Sequence, residues 1–365
     1  MNKVHAKRSR IYMMILALVL VLVSGKTPVF AATDVGSFDE LKTAVANGGE
    51  IKLTKDITVT ETLEIKDKDV KISGEGHTLT LPDGFTHDQM FKVDGKALTL
   101  NKVTLDGKKQ GRLIYSEGGT ITLNESTLQN GCPGANAKTN PGGGVFLRGG
   151  SLTATNTHFN NNTPGTNTAI PKGDGDVNGG AIYSGETKAD IKITGGSFEN
   201  NEVKAYGHGA AIYQENGTLT VDGTSFKNNK GHTEGGNAGT QGACIHTRDK
   251  VTAKISGVTA EIAKGFNTGG FLRSWGSDVT VSNSTFTIKD LGDGYGYSGG
   301  ALCFENGTSK VTGSTFTCTG SKLYHAGGFI DIVGGGIHVI DGNTMTGAGK
   351  ENGQQIASFG GAISV

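Results

Sequence analysis

The stretch GGAIYSGETKADIKITGGSFENN, from Gly179 to Asn201, returns in shorter form as GAAIYQENGTLTVDGTSFKNN, from Gly209 to Asn229. Each copy opens with a Gly-rich tetrapeptide and closes with a Phe-x-Asn-Asn motif. Such tetrapeptides recur every 27 to 37 residues. A repeat of this length predicts one structural unit per repeat, with a loop of variable length. The tetrapeptides end at Val145, Ile182, Ile212, Ile245, Leu272, Leu302, Ile330 and Ile363.

Each repeat carries three short apolar segments, which predict three strands. In the first copy these are the tetrapeptide, the alternating pair Ile191 and Ile193, and the anchor Phe198. Alternation of apolar and polar residues is typical of a strand with one buried face. Three residues before each anchor stands Gly or Asn, which adopt the left-handed backbone conformation at least cost and so predict a sharp bend. These bend positions are Asn156, Gly195, Gly223, Gly257, Asn283, Gly313 and Gly342.

Three strands and one such bend per repeat predict an all-β fold, a right-handed parallel β-helix solenoid. In this fold, equivalent residues of successive coils stack about 4.8 Å apart. Asparagines two residues past the anchors would then form a hydrogen-bonded ladder. The ladder residues are Asn130, Asn161, Asn200 and Asn228.

The N-terminal region divides into a signal peptide and a cap. Basic residues precede an apolar run from Ile11 to Val23, which is shorter than the ~20 residues of a membrane span. We therefore predict a signal peptide over residues 1–31, cleaved near Ala31/Ala32, and a secreted or cell-surface protein with no transmembrane segment in the mature chain. Residues 32–48 predict a capping helix with a Ser37 to Glu40 capping box, and residues 49–365 the β-helix, regular from about residue 110.

Charge and cysteine content exclude some functions. Five of the 34 basic residues lie in the signal peptide, which leaves 29 against 34 acidic residues and no basic patch for nucleic acid. The four cysteines show no Cys-x-x-Cys spacing, so the sequence does not indicate a zinc site. Export permits a disulfide between Cys303 and Cys318, but we favour four buried free thiols, with Cys132 and Cys244 as the other two.

The alternation of Gly-Gly-Ala-Ile-type tetrapeptides with FNNN at 159, FENN at 198 and FKNN at 226 resembles the repeat of the chlamydial polymorphic membrane proteins. More broadly, residues 110 to 365 resemble the pectate-lyase-like superfamily of right-handed β-helices. The resemblance implies the fold. It does not imply one activity, because that superfamily includes lyases, hydrolases, adhesins and phage proteins.

The variable segments between the Asn-Asn pairs and the next tetrapeptides occupy one corner of each coil, so they predict a wall of loops beside one face. The residue after each tetrapeptide points outward next to this wall. We predict a strip that binds carbohydrate or a surface protein through Phe146, Tyr183, Tyr213, His246, Arg273 and Asp331. The outward column of the second strand mixes Thr with Lys192, Lys254 and Lys310, which argues against an ice-binding Thr surface there.

The evidence for an enzyme is weaker. Gly207-His208-Gly209 is similar to the Gly-His-Gly of polygalacturonases, but their Asp-Asp pair is missing. A calcium-dependent lyase needs several carboxylates around the ion. The calcium candidates are Asp174, Asp176 and Asn178; no other cofactor is indicated. The catalytic candidates are His208, His246, Arg273 and Asp331.

The sequence therefore favours an exported bacterial surface protein, adhesin-like, that binds carbohydrate or a host or cell-surface partner. A polysaccharide lyase or hydrolase acting on acidic glycans and a non-binding spacer of a larger surface protein are the alternatives. Residues 360–365 repeat the opening strand of a further unit, which we interpret as the sign of a longer protein.

Overall fold

The computed structural model describes residues 31–134, 141–165, 177–185, 187–203, 207–231, 240–262, 268–289, 299–319, 328–347 and 362–365. The predicted signal peptide lies outside these residues, apart from Ala31, and stays a prediction. The fold described below begins at Thr33. Within the described residues, no helix is both long and apolar enough to cross a membrane.

The strands form three faces. Face 1 follows the tetrapeptides and consists of Leu63–Ile65, Gln89–Asp94, Arg112–Glu117, Val145–Arg148, Ile182–Ser184, the first parts of Ile212–Asp222 and Ile245–Ser256, Leu272–Trp275, Leu302–Glu305, Ile330–Val333 and Ile363–Ser364. Face 2 consists of Thr33–Val35, Gly49–Leu53, Val70–Ser73, Ala97–Asn101, Thr120–Asn124, Gly150–Thr155, Ala189–Thr194, the second parts of Ile212–Asp222 and Ile245–Ser256, Asp278–Ser282, Thr308–Thr312 and Ile337–Asp341. Face 3 consists of Ile57–Thr58, Thr78–Thr80, Thr104–Asp106, Thr127–Gln129, His158–Asn160, Ser197–Glu199, Ser225–Lys227, Thr259–Ile262, Thr285–Ile288, Thr315–Cys318 and Thr344–Thr346.

Each strand pairs in parallel with the equivalent strand of the next coil. Ile182 lies opposite Ile212 on face 1, Ile191 opposite Leu219 on face 2, and Phe198 opposite Phe226 on face 3. The register therefore follows the sequence repeat residue by residue. This pairing confirms the predicted parallel β-helix.

The chain enters the fold through one strand and one helix. Thr33–Val35 pairs with Ile51–Leu53. The first of these strands lies within residues 32–48, for which the sequence predicted only a capping helix. Helix α1 then spans Phe38–Asn47 and buries Leu41, Ala44 and Val45. Its N-cap is Ser37, whose hydroxyl accepts the Glu40 N–H, while the Glu40 carboxylate accepts the Gly36 N–H.

The bend between the second and third strands adopts the left-handed conformation in every predicted coil. The φ angle is 47° at Asn156, 60° at Gly223 and 49° at Asn283, and it is also positive at the other four predicted positions. The two preceding coils carry Glu125 and Lys102 there, with φ of 48° and 52°. The bend is therefore a property of the fold, and Gly or Asn is the residue that meets it at least cost.

Stacked phenylalanines fill the interior behind face 3. The Phe159 and Phe198 rings lie 4.6 Å apart and nearly parallel, and the Phe198 and Phe226 rings 5.1 Å apart. The next anchor is the small Ala260. Phe271, from the following tetrapeptide, fills the space with its ring 5.1 Å from Phe226, so that the column continues across the gap.

The predicted asparagine ladder forms in part, and a second ladder lies beside it. Asn161 donates to Asn130 and Asn228 to Asn200, while Asn200 donates to Asn160 rather than Asn161. One residue further on, buried Asn162, Asn201 and Asn229 form a continuous ladder with side-chain distances of 3.0 and 2.9 Å. The sequence interpretation missed this second ladder because it used only the first Asn of each Asn-Asn pair.

Candidate functional site

The residues that follow the tetrapeptides form one column on face 1. Tyr115, Phe146, Tyr183, Tyr213, His246, Arg273, Cys303 and Asp331 lie opposite one another on consecutive strands. We call this column the face 1 file. Its register agrees with the prediction that these side chains stack along the solenoid.

The aromatic part of the file is a continuous stack of rings. Centroid distances are 5.3 Å from Tyr115 to Phe146, 4.9 Å from Phe146 to Tyr183, and 5.4 Å from Tyr183 to Tyr213. The His246 ring continues the stack 5.2 Å beyond Tyr213. Offset stacking at these distances stabilises each aromatic pair by about 0.5–1.5 kcal/mol beyond its burial.

The file is covered, contrary to the expectation of an open strip. Tyr213 and Cys303 are 0% exposed, His246 is 1%, Asp331 is 3%, and Phe146 and Arg273 are 7%. Phe146, Tyr213 and Cys303 also lie outside the main apolar core, so they form a separate buried layer. Only Tyr115 and Tyr183 of the aromatic members are partly exposed.

Two side chains provide part of this cover: Arg112, the first residue of its face 1 strand, and His208, from the segment just before a tetrapeptide. The buried Arg112 guanidinium lies 5.1 Å from the Phe146 ring and donates to the carbonyls of Gly142 and Pro141. Burial lowers the pKa of Arg112 to about 10. At the other end, the His208 ring stacks on His246 at 5.0 Å, and its Nδ1 accepts the Gln241 N–H at 3.0 Å.

The structure brings three of the four catalytic candidates together. His208 contacts His246, and His246 lies opposite Arg273. Asp331 is three strands from His246, roughly 14 Å at the usual strand spacing. Burial, with the nearby His208 and Arg273, holds the pKa of His246 well below its usual value, so the ring is neutral at pH 7.

A second column lies on face 1, two residues past the file. Its central members are Glu215, Arg248, Trp275 and Glu305, which we call the rim cluster. All four are half-buried and border solvent. The register shifts beside Arg248, because the pair Gln214–Thr247 is followed by Asn216–Lys250, and Asp249 has a φ of 55°, as in a β-bulge.

The rim cluster is tied to the buried file by hydrogen bonds and cation–π contacts. The Arg248 guanidinium carbon lies 4.5 Å, and that of Arg273 5.5 Å, from the centre of the Trp275 ring. Arg273 also donates to Glu305 and to Gln241. The Tyr213 hydroxyl donates to Glu215 at 2.6 Å. Burial, together with this bond to Glu215, raises the pKa of Tyr213.

Three buried nitrogens near the cluster have no hydrogen-bond partner among the described residues: Nδ1 of His246 and Nε of Arg248 and Arg273. The nearest anion to the Arg248 nitrogen is the Asp249 carboxylate at 3.7 Å. The cluster therefore combines an aromatic face, guanidinium donors and carboxylate acceptors, the groups that bind sugar rings and their hydroxyls. The strand alternation could have revealed it, because the first and third residues after each tetrapeptide, such as Arg273 and Trp275, share the outward side.

The calcium prediction remains a prediction. Asp174 and Asp176 lie outside the described residues. Asn178 is buried, and its Oδ1 accepts the His208 N–H at 2.7 Å. Across the part of the chain that the structure describes, no three His, Cys, Asp or Glu residues are grouped to hold a metal ion.

Comparisons with known proteins add little to this geometry. No protein-family model and no curated protein matches the chain. Among solved structures, the chain is similar to the A-module of a mannuronan C-5 epimerase of Azotobacter vinelandii, with 13% identity over 93% of this chain and 97% of that one, and a TM-score of 0.33. A similarity of this size says nothing about function, and the strand register alone establishes the fold.

Proposed function

We propose that the protein is an exported, adhesin-like surface protein that binds carbohydrate at the rim cluster. The observation that carries the proposal is the contact of Trp275, the chain's only tryptophan, with two guanidinium groups at the solvent border of face 1. An indole held in this way offers a rigid apolar surface for a sugar ring. In this proposal Arg248 and Glu305, which lie beside Trp275, and Glu215 of the same cluster bond the hydroxyls of the sugar.

The buried file supports this arrangement from below. Arg273 connects Trp275 to Glu305 and Gln241, and Tyr213 fixes Glu215. Side chains whose conformations are fixed by neighbours lose little entropy when a ligand binds, which favours affinity. In this proposal Phe146, Tyr183 and Tyr213 act through packing, and ligand contact is made by the rim.

The test is a glycan array followed by titration of each ligand found, with the fluorescence of Trp275 as the signal. We expect binding by the purified protein and a loss of at least about tenfold in affinity, or ~1.4 kcal/mol, in Trp275→Ala. Because this variant has no tryptophan, its titration uses calorimetry. Tyr115→Ala is the control, since Tyr115 is a half-buried aromatic on the same face, five strands away.

Unchanged affinity in Trp275→Ala would refute the rim cluster as the binding site. Absence of any ligand on glycan and surface-protein arrays would favour the spacer alternative. The two results are distinct, because the first leaves binding intact and the second removes it.

Polysaccharide cleavage is a second candidate, favoured by the adjacent register of His246 and Arg273, a potential base beside a cation. Incubation with uronate polymers, with and without calcium, would reveal unsaturated products by ultraviolet absorbance. We expect no turnover if the protein is an adhesin. Turnover that disappears in Arg273→Lys would replace the adhesin proposal with a lyase.

A further inference from the structure

Threonines form a regular array on the outer side of face 3. The last three strands of this face begin TFT at 285, TFT at 315 and TMT at 344. In register, Thr285 lies opposite Thr315 and Thr315 opposite Thr344, while Thr287, Thr317 and Thr346 form a second row. The residues between them, Phe286, Phe316 and Met345, face the interior. The six threonines therefore share one surface.

Backbone geometry fixes the spacing of this array. Neighbouring strands lie about 4.8 Å apart, and alternate residues of one strand about 6.6 Å apart. Threonine is branched at Cβ, so its hydroxyl and methyl group occupy few orientations relative to the strand. The result is a rectangular pattern of two rows and three ranks, in which each point offers one hydroxyl and one methyl group.

The hydroxyls of this array are available to a ligand. Within the described residues, none of these six hydroxyls forms a hydrogen bond with the protein, whereas the N–H groups of Thr285, Thr315 and Thr344 bond within the sheet. Face 2 differs, because Thr218 and Thr308 donate to Asp190 and Asp278 of neighbouring strands. Face 2 also carries Lys192, Lys254 and Lys310 in its central row. The six positions on face 3 are uncharged. On the preceding strand, Glu261 lies opposite Thr287 and forms an ion pair with Lys289 at 2.6 Å.

An array of strand side chains does not suit a small molecule, which could touch only one or two threonines. A ligand with the same two-dimensional repeat engages all six at once, so weak single contacts add up. Hexagonal ice offers oxygen rows with repeats of this size on its prism face. Crystalline polysaccharide is the less suitable lattice, because such surfaces are bound by aromatic rings, and the described outward positions of these three strands carry none.

We propose that this threonine array binds ice, a function separate from the carbohydrate binding proposed for face 1. The methyl groups restrict the orientation of first-shell water, and the hydroxyls anchor that water at lattice positions. Mixed Thr and Lys on face 2 cannot do this, because an ammonium group orders its own hydration shell. Face 2 carries lysines within its threonine columns, whereas the six positions on face 3 carry none, and Lys289 at the edge of the array is paired with Glu261.

Ice-affinity partition tests the proposal. Ice is grown slowly in a solution of the purified protein, and the protein content of the ice and liquid fractions is compared with that of a non-binding reference protein. We expect enrichment in the ice and inhibition of recrystallisation. Thr317→Lys, in the centre of the array, should reduce the ice-bound fraction to the reference level, and so should Thr346→Lys, which is exposed on the last strand.

Thr122→Lys is the matched control, because Thr122 is equally half-buried but lies on face 2 between Thr99 and Thr153. It should partition like the unchanged protein, and so should Trp275→Ala. Circular dichroism confirms that each variant is folded. Exclusion of the unchanged protein from ice, or equal loss of binding in Thr122→Lys and Thr346→Lys, would overturn the proposal.

Discussion

Tyr213 and His246 lie face to face on adjacent strands, with ring centroids 5.2 Å apart and 13° between the ring planes. Both side chains point away from the apolar interior, and both are almost fully buried. An ionisable ring in such a layer links folding to pH. Burial also distinguishes the face 1 file from the rim cluster, which borders solvent.

Folding stability should fall when His246 has to be protonated. Its pKa is well below the usual value in the folded chain, because of burial and the nearby His208 and Arg273. Below pH ~6.5 the imidazole binds a proton in the unfolded chain but not in the folded chain. The free energy of unfolding should therefore be highest above that pH and fall on acidification, by at most about 1.4 kcal/mol per pH unit. The measurement is the free energy of unfolding between pH ~4.5 and ~8.

His246→Phe keeps the ring stack and removes the titration, so its stability should depend less on pH in this window. His87→Gln, a change at an exposed histidine, is the control for the removal of a histidine as such. Parallel pH profiles for the unchanged protein and His246→Phe would contradict the prediction.

Asn201→Ala should destabilise the fold by about 2–4 kcal/mol, because it leaves several buried donors and acceptors unpaired. The Asn201 amide donates to the Phe159 carbonyl and to Asn229, and it accepts from the backbone and side chain of Asn162. Denaturant unfolding measures the loss. Asn200→Gly is the control at the neighbouring, exposed ladder position, where φ is 54° and glycine is well tolerated. Equal losses in both variants would show that burial of the second ladder is unimportant.

Gly223→Ala should cost about 1–2 kcal/mol through backbone conformation alone. An added Cβ at Gly223 meets no atom within 4 Å, yet φ is 60°. The reverse change, Glu125→Gly at the equivalent bend of an earlier coil, should be neutral or stabilising by up to about 1 kcal/mol. Thermal unfolding of both variants checks the pair. A stabilising Gly223→Ala would show that the bend is not held in the left-handed region.

All four cysteines should be free thiols that react only after unfolding. Each is buried and none is bonded to another. Burial raises the pKa of Cys244 to about 12, and burial together with Asp331 does the same for Cys303. The thiolate is the reactive form, so thiol reagents should label the native chain slowly at neutral pH. Four equivalents after unfolding without reductant would confirm the prediction, and two would indicate a disulfide.

Much of the fold could be predicted because β-helix geometry leaves direct marks in the sequence. The left-handed bend admits Gly or Asn at low cost, which explains its column of seven residues, and strand alternation placed Tyr183 and Tyr213 in one file. Glu125 and Lys102 escaped detection because the fold tolerates some strain at the same bend.

Burial of the file could not be predicted from alternation, which distinguishes inward from outward but not covered from open. Part of the cover comes from Arg112, at the start of a face 1 strand, and from His208, just before a tetrapeptide, and the direction of both side chains depends on the path of the chain at the corner. The rim cluster was missed for a simpler reason. Trp275 is the fourth residue in a strand where only the second was considered.

Because the strands of each coil pair with those of the coils before and after it, every repeat ends with the same backbone geometry with which the next begins. Gene duplication or deletion of one whole repeat would join surfaces that already match. The protein can therefore change length in steps of a coil during evolution, with the threonine array and the rim cluster gaining or losing ranks independently of each other.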